Sequence, residues 1–104
     1  MAKGKDNVNH PSHYTWLKDK CGIEVIDITR HLDFDTGNAV KYLLRAGHKS
    51  ESDMTQLEKT VEDFEKAEWY VQDKINMLLM DLYEQSGSEL TFDEWKKERM
   101  SGRK

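Results

Sequence analysis

The fold is decided by residues 53–85, which read DMTQLEKTVEDFEKAEWYVQDKINMLLMDLYEQ. Apolar residues recur along this stretch at steps of three and four, the spacing of one face of an α-helix, and Ala67 fills the single wider gap. The pattern predicts one long amphipathic helix. Its apolar positions are Met54, Leu57, Val61, Phe64, Val71, Ile75, Leu78 and Leu82.

This helix is long for a chain of 104 residues. At about 1.5 Å per residue it would extend roughly 45–50 Å, whereas a compact domain of this size has a radius of gyration of about 13 Å. The helix must therefore break, or its end must pack against another subunit. We expect an all-α fold, a small helical domain with one long helix, packed into a homo-oligomer.

A short last helix is expected after the long one. The sequence SGS at 86–88 would end the long helix, and TFDE at 91–94 has the form of a capping box, in which residues one and four satisfy each other's backbone N–H groups. A helix from Thr91 through Met100 follows from this pattern. The remaining residues form a basic tail.

The chain before the long helix is expected to hold two shorter helices. Residues 23–32 suit a short helix, Asp35 or Thr36 would cap the next one, and Gly47 would end it. Pro11 disfavours helix in the residue that precedes it. The predicted organisation is an extended segment over residues 1–20 that contributes to the site, a helical core over 21–85, and the last helix and tail over 86–104.

The composition and the N-terminal sequence argue against a secreted or membrane-spanning protein. Charged residues make up 35% and hydrophobic residues 37% of the chain, and the single cysteine, Cys21, has no internal disulfide partner. The N-terminus does not resemble a secretory signal, and no apolar run approaches the ~18 residues that span a bilayer. We therefore expect a cytoplasmic protein with no membrane partner.

Charge is unevenly distributed around the formal net value of −4. Residues 51–85 carry ten acids and three bases, whereas residues 1–50 carry eight bases, six acids and all four histidines. An acidic balance argues against broad nucleic-acid binding, which needs a basic footprint. It leaves room for a small anionic ligand held by a local basic cluster.

Such a cluster is predicted on the helix that Gly47 ends. A helical wheel places Val40, Leu43 and Leu44 on the side that faces the core. The opposite side holds a row without acids, in which arginine suits a phosphate as a two-pronged donor and lysine as a point charge. A solvated surface with loose ion pairs is the alternative. The row and its extension past the helix end consist of Asn38, Lys41, Tyr42, Arg45, His48 and Lys49.

Residues of opposite charge lie on the preceding short helix. Glu24, Asp27 and His31 would share one face there, and two carboxylates with an imidazole can hold Mg²⁺ through water or act as a general base. Glu24 and Asp27 are the metal candidates, and whether the protein uses any cofactor stays open. The alternative is a salt-bridged helix pair, in which Lys41 and Arg45 neutralise Glu24 and Asp27.

Two further groups of polar and aromatic residues suit the lining of a pocket. His10, His13 and Tyr14 lie within five positions of one another near the N-terminus. On the long helix, one side away from the apolar stripe could contact the same ligand or be exposed, and Trp69 marks a second packing surface, most simply a subunit contact. That side of the helix carries Asp63, Lys66 and Tyr70.

Several common catalytic motifs are missing from the sequence. There is no Gly-rich loop followed by Lys and Ser or Thr, hence no Walker-type phosphate cradle. There is no G-x-S-x-G motif for a serine nucleophile. Cys21 is expected to be a small packing residue and not a nucleophile.

Four blocks of sequence resemble the SaV-like phage family, a domain of unknown function catalogued as DUF3310. They read NHPSHY at 9–14, GIEVID at 22–27, GNAVKYLLRAGHK at 37–49 and DFEKAEWY at 63–70. The resemblance covers about residues 8–75. The chain departs from the family pattern at Leu44, where an aromatic residue is frequent, and at Glu65 and Glu68, where basic or apolar residues are frequent.

The resemblance implies a function. Relatives in short-tailed coliphages are nucleotide kinases that phosphorylate deoxynucleoside monophosphates without a Walker motif, which would place this chain in the cytoplasm of an infected host cell. Carried over by position, His10, His13, Glu24 and Asp27 are the candidate catalytic residues. The candidate ligand-binding residues are Tyr14, Asn38, Lys41, Tyr42, Arg45 and Lys66, to which the basic row adds Lys49.

The leading hypothesis is a phage nucleotide-binding protein that acts as a kinase-like phosphotransferase. Lys41, Arg45 and Lys49 would hold phosphates, and His10 or His13 would approach the transferred phosphoryl group. Because two nucleotides need more surface than one small chain offers, sites shared between subunits are expected.

Two other functions stay open. One is a non-enzymatic phage factor that binds a nucleotide signal or a host protein. The other is a metal-dependent nucleotide pyrophosphohydrolase of the MazG type, which would use the carboxylate pairs Glu24 with Asp27 and Glu62 with Glu65.

Overall fold

The computed structural model describes residues 12–48 and 53–102, with the backbone alone described at Ser12. Within those ranges all regular structure is helical, which confirms the all-α prediction. The helices are α1 (Ser12–Cys21), α2 (Val25–Thr29), α3 (Phe34–Arg45), α4 (Gln56–Ser86) and α5 (Phe92–Ser101). They form two compact units, one ending at Val71 and the other beginning at Gln72. The predicted division at residues 20 and 85 stays a prediction.

The extended conformation predicted for residues 1–20 is wrong from Ser12 onward, because α1 begins there. A proline restricts the residue before it and leaves the residues after it free to enter a helix. Trp16 fixes α1 against α3, since its indole N–H donates to the carbonyl of Leu44 at 2.9 Å. The Trp16 ring also stacks on His48 with centroids 4.3 Å apart.

The helix predicted over 23–32 is confirmed only for Val25–Thr29. Glu24 is its N-cap, and Asp27 completes a capping box by accepting from the Glu24 backbone N–H at 2.9 Å. Since Glu24 precedes the helix and His31 follows it, the helical face predicted for Glu24, Asp27 and His31 does not form. The carboxylates of Glu24 and Asp27 instead stabilise the start of α2.

The N-cap of helix α3 lies two residues before Asp35 and three before Thr36, the two predicted caps. Asp33 is the N-cap, and its side chain accepts from the backbone N–H of Thr36 at 3.5 Å. Asp35 is instead a buried residue of the first turn. The predicted end is confirmed, because Gly47 has a φ of +86°, a left-handed conformation that glycine adopts without strain.

The long helix and the last helix follow the sequence prediction closely. Thr55 and Glu58 form a reciprocal capping pair at the start of α4, with N···O distances of 2.7 and 3.0 Å. Gly87, with a φ of +66°, follows its last residue. The capping box predicted at Thr91 is present and begins α5.

Each unit has its own packing contacts. The buried apolar residues of the first unit come from α1, α2, α3 and α4, and they are Leu17, Val25, Ala39 and Ala67. In the second unit, the rings of Tyr83, Phe92 and Trp95 lie together, with centroids 5.4–6.1 Å apart. The Tyr83 hydroxyl donates to the carbonyl of Leu90, which fixes the turn between α4 and α5.

Candidate functional site

The site is organised by an ion pair between α3 and α4. Both Nε and Nη2 of Arg45 donate to Oδ1 of Asp63, at 3.1 and 2.6 Å. Asp63 has no exposed surface and Arg45 is 7% exposed. Because buried charges are costly unless they are paired, this contact fixes α3 against α4.

Three more charged residues of α4 surround the pair. Lys59 is 1% exposed, and its Nζ lies 2.6 Å from Glu62 and 3.7 Å from Asp63. Lys66 Nζ lies 3.1 Å from the same Glu62 carboxylate oxygen. Spacings of three and four residues place these side chains on one helix face. They form a charged cluster, defined as Arg45, Lys59, Glu62, Asp63 and Lys66.

The charged cluster changes the acidity of its members. The hydrogen bond from Lys59, and then that from Lys66, lowers the pKa of Glu62 from 4.5 to about 2. Burial lowers the pKa of Arg45, but the hydrogen bond and charge of Asp63 outweigh it, so that the pKa is raised overall. Burial also raises the pKa of the Tyr14 hydroxyl, against the opposing effect of the Arg45 charge. Arg45 is therefore charged and Tyr14 neutral at physiological pH.

One carboxylate oxygen of the charged cluster accepts no hydrogen bond from the described residues. Oδ2 of Asp63 is buried and has no hydrogen-bond partner among the residues that the structure describes. Arg45 directs Nε and Nη2 at Oδ1, so both hydrogen bonds of the pair end on the same oxygen. The arrangement holds Asp63 as an acceptor between two cations, Arg45 and Lys59.

The ring of Tyr42 lies next to three cationic side chains. Arg45 Cζ lies 4.4 Å from the ring centroid, Lys41 Nζ 4.9 Å and Lys66 Nζ 5.4 Å, all within the range of cation–π attraction. Tyr70 of α4 lies nearly parallel to Tyr42, with an interplanar angle of 11° and centroids 5.9 Å apart. Tyr42 is thus held between α3 cations and an α4 ring.

A cleft of about 300 Å³ opens beside this ring. It is lined by Tyr42, Lys66, Trp69 and Tyr70, which we name the aromatic–cationic cleft. Trp69 meets Tyr70 edge to face with centroids 5.1 Å apart, and Trp69 itself is 62% exposed. Ring faces beside an ammonium group suit a flat ligand that carries negative charge.

Some of the residues predicted to form the site lie close together in the structure. Tyr14, Lys41, Tyr42, Arg45 and Lys66 lie within one network, linked through the Arg45 guanidinium and the Tyr42 ring. His13 joins its edge, because its ring lies 4.3 Å from that of Tyr14. The ligand-binding role of these residues stays a prediction.

Other predicted residues have different surroundings. Glu24 and Asp27 form the α2 capping box, and Asp27 also lies 3.7 Å from Arg30. The Asn38 amide donates to the carbonyl of Phe34 in its own helix at 2.9 Å. Arg45 pairs with Asp63 and not with Glu24 or Asp27, the partners of the alternative prediction. His10 and Lys49 fall outside the described residues, so their predicted roles stay predictions.

Lys59 was not singled out by sequence reasoning, and Asp63 was expected to contact ligand or solvent. The available signal was the charge pattern KxxED at 59–63, which places a lysine three and four residues before two acids. Ion pairs at this spacing are usually exposed, so the pattern alone did not indicate burial. The burial of Asp63 depends on Arg45, eighteen residues away, which no local pattern reveals.

No grouping of three or more His, Cys, Asp or Glu side chains over residues 12–48 and 53–102 could hold a metal ion. In the same ranges, none of the helices combines the length and the apolar character that crossing a membrane requires. The Mg²⁺ candidates Glu24 and Asp27 therefore stand without a third ligand in the described part of the chain.

Comparison with known proteins identifies the family. Neither curated proteins nor solved structures give a significant match to the chain. The family model described as a protein of unknown function, DUF3310, matches residues 8–72. This match covers α1, α2, α3 and the part of α4 that carries the charged cluster. The chain therefore belongs to the DUF3310 family.

Proposed function

We propose that the protein binds a nucleotide at the aromatic–cationic cleft. The observation that carries the proposal is the exposed ring of Trp69 and the half-buried ring of Tyr70 beside the ammonium group of Lys66. A nucleobase stacks on aromatic rings, at about 1–3 kcal/mol per base, and phosphates take lysine as a counter-charge. Lys66 is only partly exposed, with 41% of its side chain accessible. Binding a phosphate would therefore remove little further water from the lysine.

Arg45 has a positioning role in this proposal. Its Nε and Nη2 are committed to Asp63, and its guanidinium lies against the face of Tyr42. The phosphate contacts then fall to Lys41 and Lys66, whose ammonium groups flank the same ring. This differs from the sequence hypothesis, in which Arg45 itself held phosphate.

The reaction we propose is kinase-like transfer of a phosphoryl group to a deoxynucleoside monophosphate, as the family resemblance implies. A bond between the terminal phosphorus of a nucleoside triphosphate and its bridging oxygen breaks, and a bond to a phosphate oxygen of the monophosphate forms. Such transfer depends mainly on positioning and charge neutralisation. His13, beside Tyr14, is the described residue proposed to approach the phosphoryl group.

A homo-oligomer belongs to the same proposal. A cleft of about 300 Å³ lies at the small end of ligand pockets and is too small for two nucleotides at once. A second nucleotide would then be held with the help of a neighbouring copy. This is the reason to expect sites that are completed between subunits.

Binding without turnover is the second candidate function. None of the four residues that line the aromatic–cationic cleft is a carboxylate or an imidazole, the usual groups for proton transfer. This observation favours a nucleotide-binding factor over an enzyme. The pyrophosphohydrolase hypothesis has less support, because two lysines hold the Glu62 carboxylate.

A thermal-shift screen tests nucleotide binding. Nucleoside mono-, di- and triphosphates are added with and without Mg²⁺, and a true ligand in hundredfold excess over its Kd should raise the Tm by several degrees. Lys66→Ala should abolish the shift. Lys18→Ala, which removes an exposed lysine of α1, is the matched control and should keep it. No shift with any nucleotide would refute the proposal.

Product analysis separates the two functions. A deoxynucleoside monophosphate is incubated with a triphosphate donor, and diphosphate formation is followed by chromatography. Turnover that Lys66→Ala abolishes supports the kinase-like reaction. A thermal shift without any diphosphate selects the binding factor, and release of pyrophosphate from the triphosphate alone selects the pyrophosphohydrolase.

A further inference from the structure

The apolar stripe of α4 is exposed along its length. In the first unit its members are Leu57, Val61, Phe64 and Val71, and in the second they are Ile75, Leu78 and Leu82. Each of these side chains is 42–74% exposed. An apolar surface of this length is unusual on a soluble monomer and indicates an interaction surface. We name these seven residues the apolar seam.

The spacing of the apolar seam identifies the kind of partner. Counted from Leu57, its members follow alternating steps of four and three, and Glu68 occupies the one remaining position. This is the repeat of a two-stranded coiled coil, in which positions a and d face a second helix. The period of 3.5 residues matches a partner helix better than a flat surface.

The charged residues beside the seam decide the direction of the partner helix. In a parallel pair, Glu68 of one copy would face Glu68 of the other, and like charges in a seam repel. In an antiparallel pair, Glu68 faces Val71 instead, and Leu57 faces Leu82. Position e then holds Glu58 and Glu65 in the first half of α4, opposite Leu79 and Gln72 of the other copy.

In the antiparallel pair, Glu58 and Glu65 of one copy would lie next to a basic groove of the other copy. The second unit has a cavity of about 870 Å³ between α4 and α5, and Gln72 and Leu79 line it together with apolar side chains. Its cations outnumber its single acid, Asp93, which lies 4.0 Å from Lys96. The cations of the groove are Lys96, Lys97 and Arg99.

We propose that a second copy of this chain pairs with α4 in the antiparallel direction, through the apolar seam. Glu65 of each copy then lies against the basic groove of the other. Each copy contributes the same acidic half and the same basic half, so one two-fold axis satisfies both contacts. The inference rests on the homo-oligomer of the proposed function and is independent of nucleotide binding.

Self-association tests the seam. Sedimentation velocity of the full chain at about 100 µM should show a dimer, and Leu78→Glu should weaken the association at least tenfold. Met77→Glu adds the same charge at the neighbouring exposed residue outside the seam and should leave the dimer intact. Circular dichroism checks that both variants remain helical. A monomeric wild type, or equal effects of the two variants, would overturn the proposal.

Cysteine cross-linking tests the direction. In a Cys21→Ser background, Leu57→Cys and Leu82→Cys are prepared singly and together. An antiparallel pair forms covalent dimers only when both cysteines are present, either in one chain or after the two single variants are mixed. Covalent dimers of Leu57→Cys alone would show a parallel pair and overturn the proposal.

Charge exchange tests the basic groove. Glu65→Lys should weaken the dimer, and adding Lys97→Glu to the same chain should restore it, because the interacting charges are then exchanged. Glu84→Lys, an exposed acid of α4 away from the seam, is the matched control. Failure of the double variant to restore association would overturn the groove contact. Dimers that bind no nucleotide refute the proposed ligand alone. Monomers that bind nucleotide refute this inference and the homo-oligomer on which it rests, and leave the proposed ligand in place.

Discussion

In the first unit, α4 buries charged side chains and exposes apolar ones, whereas in the second unit the described contacts between α4 and α5 are aromatic. Lys59 and Asp63 are inaccessible, while Leu57 is 74% exposed. In the second unit the rings of Tyr83, Phe92 and Trp95 close the turn between the helices. One helix therefore obtains its tertiary contacts from two different interactions along its length.

The difference explains why Tyr42 and Tyr70 are held in one geometry. Buried ion pairs contribute little net stability but require one geometry, since a displaced charge would remain unpaired. The Arg45–Asp63 pair fixes the backbone of α3 relative to α4 and thereby the distance between Tyr42 and Tyr70. Aromatic packing in the second unit holds the turn between α4 and α5. The aromatic–cationic cleft lies beside the charged contacts, whereas the larger cavity lies between α4 and α5 in the second unit.

The largest expected effect comes from removing the acid at the centre of the charged cluster. Asp63→Asn keeps the shape but leaves the buried Arg45 without its counter-charge, while Lys59 keeps Glu62, at a cost of about 3–5 kcal/mol. Asp81→Asn, an exposed acid of the same helix, should change the free energy of unfolding by less than about 0.5 kcal/mol. Urea unfolding followed by circular dichroism measures both. Equal effects would show that the buried pair is not a structural requirement.

Replacing Arg45 and Asp63 together tests whether the unpaired charge causes the loss of stability. Arg45→Met combined with Asp63→Leu removes both charges of the pair between α3 and α4. No buried charge then loses its main partner, because Lys59 keeps Glu62, and the contact between the two helices becomes apolar. The double variant should recover at least about 2 kcal/mol of the loss caused by Asp63→Asn. Urea unfolding is again the measurement. A double variant that is less stable than Asp63→Asn would contradict the cost assigned to the unpaired charges.

A smaller effect is expected in the second unit. Tyr83→Phe keeps the ring cluster and removes the hydroxyl that donates to Leu90, which should cost about 0.5–1.5 kcal/mol. Fluorescence of Trp95, in a background with Trp16→Phe and Trp69→Phe, follows unfolding of this unit. A loss as large as that of Asp63→Asn would contradict the view that hydrogen bonding is secondary to aromatic packing there.

The smallest effect concerns acid stability. Because the pKa of Glu62 is lowered from 4.5 to about 2, its stabilising contribution is present above pH 4.5 and is lost as the pH falls towards 2. Removing one of its two lysines with Lys66→Met should raise the Glu62 pKa, as carboxyl carbon NMR would show. An unchanged Glu62 pKa in this variant would contradict the assigned cause.

Local sequence signals located the helices well. The apolar repeat predicted α4, the TFDE pattern predicted α5, and Gly47 marked the end of α3. These features depend on residues within one or two helical turns of each other. The prediction failed for Ser12–Cys21, whose apolar pattern is weak and whose position depends on contacts such as Trp16 with Leu44.

The sequence did not reveal which face of α4 turns inward. An amphipathic helix ordinarily buries its apolar stripe, yet the buried side of the first unit carries Lys59, Asp63 and Ala67. The reason is a partner distant in sequence, Arg45, which makes burial of Asp63 possible. Local spacing alone cannot encode such a contact, so the charged cluster is visible only in the structure. The aromatic side of the candidate site was partly predictable, since Lys66 and Tyr70 share one helix side.

The most direct test of nucleotide binding uses the tryptophan side chains as internal reporters. Trp69 lines the aromatic–cationic cleft, whereas Trp95 belongs to the ring cluster of the second unit. Deoxynucleoside monophosphates of the four bases are titrated into ¹⁵N-labelled protein, and the indole N–H resonances are followed. We predict a saturable shift of the Trp69 resonance with at least one nucleotide while Trp95 stays in place. An unmoved Trp69 resonance with all four nucleotides would contradict the account.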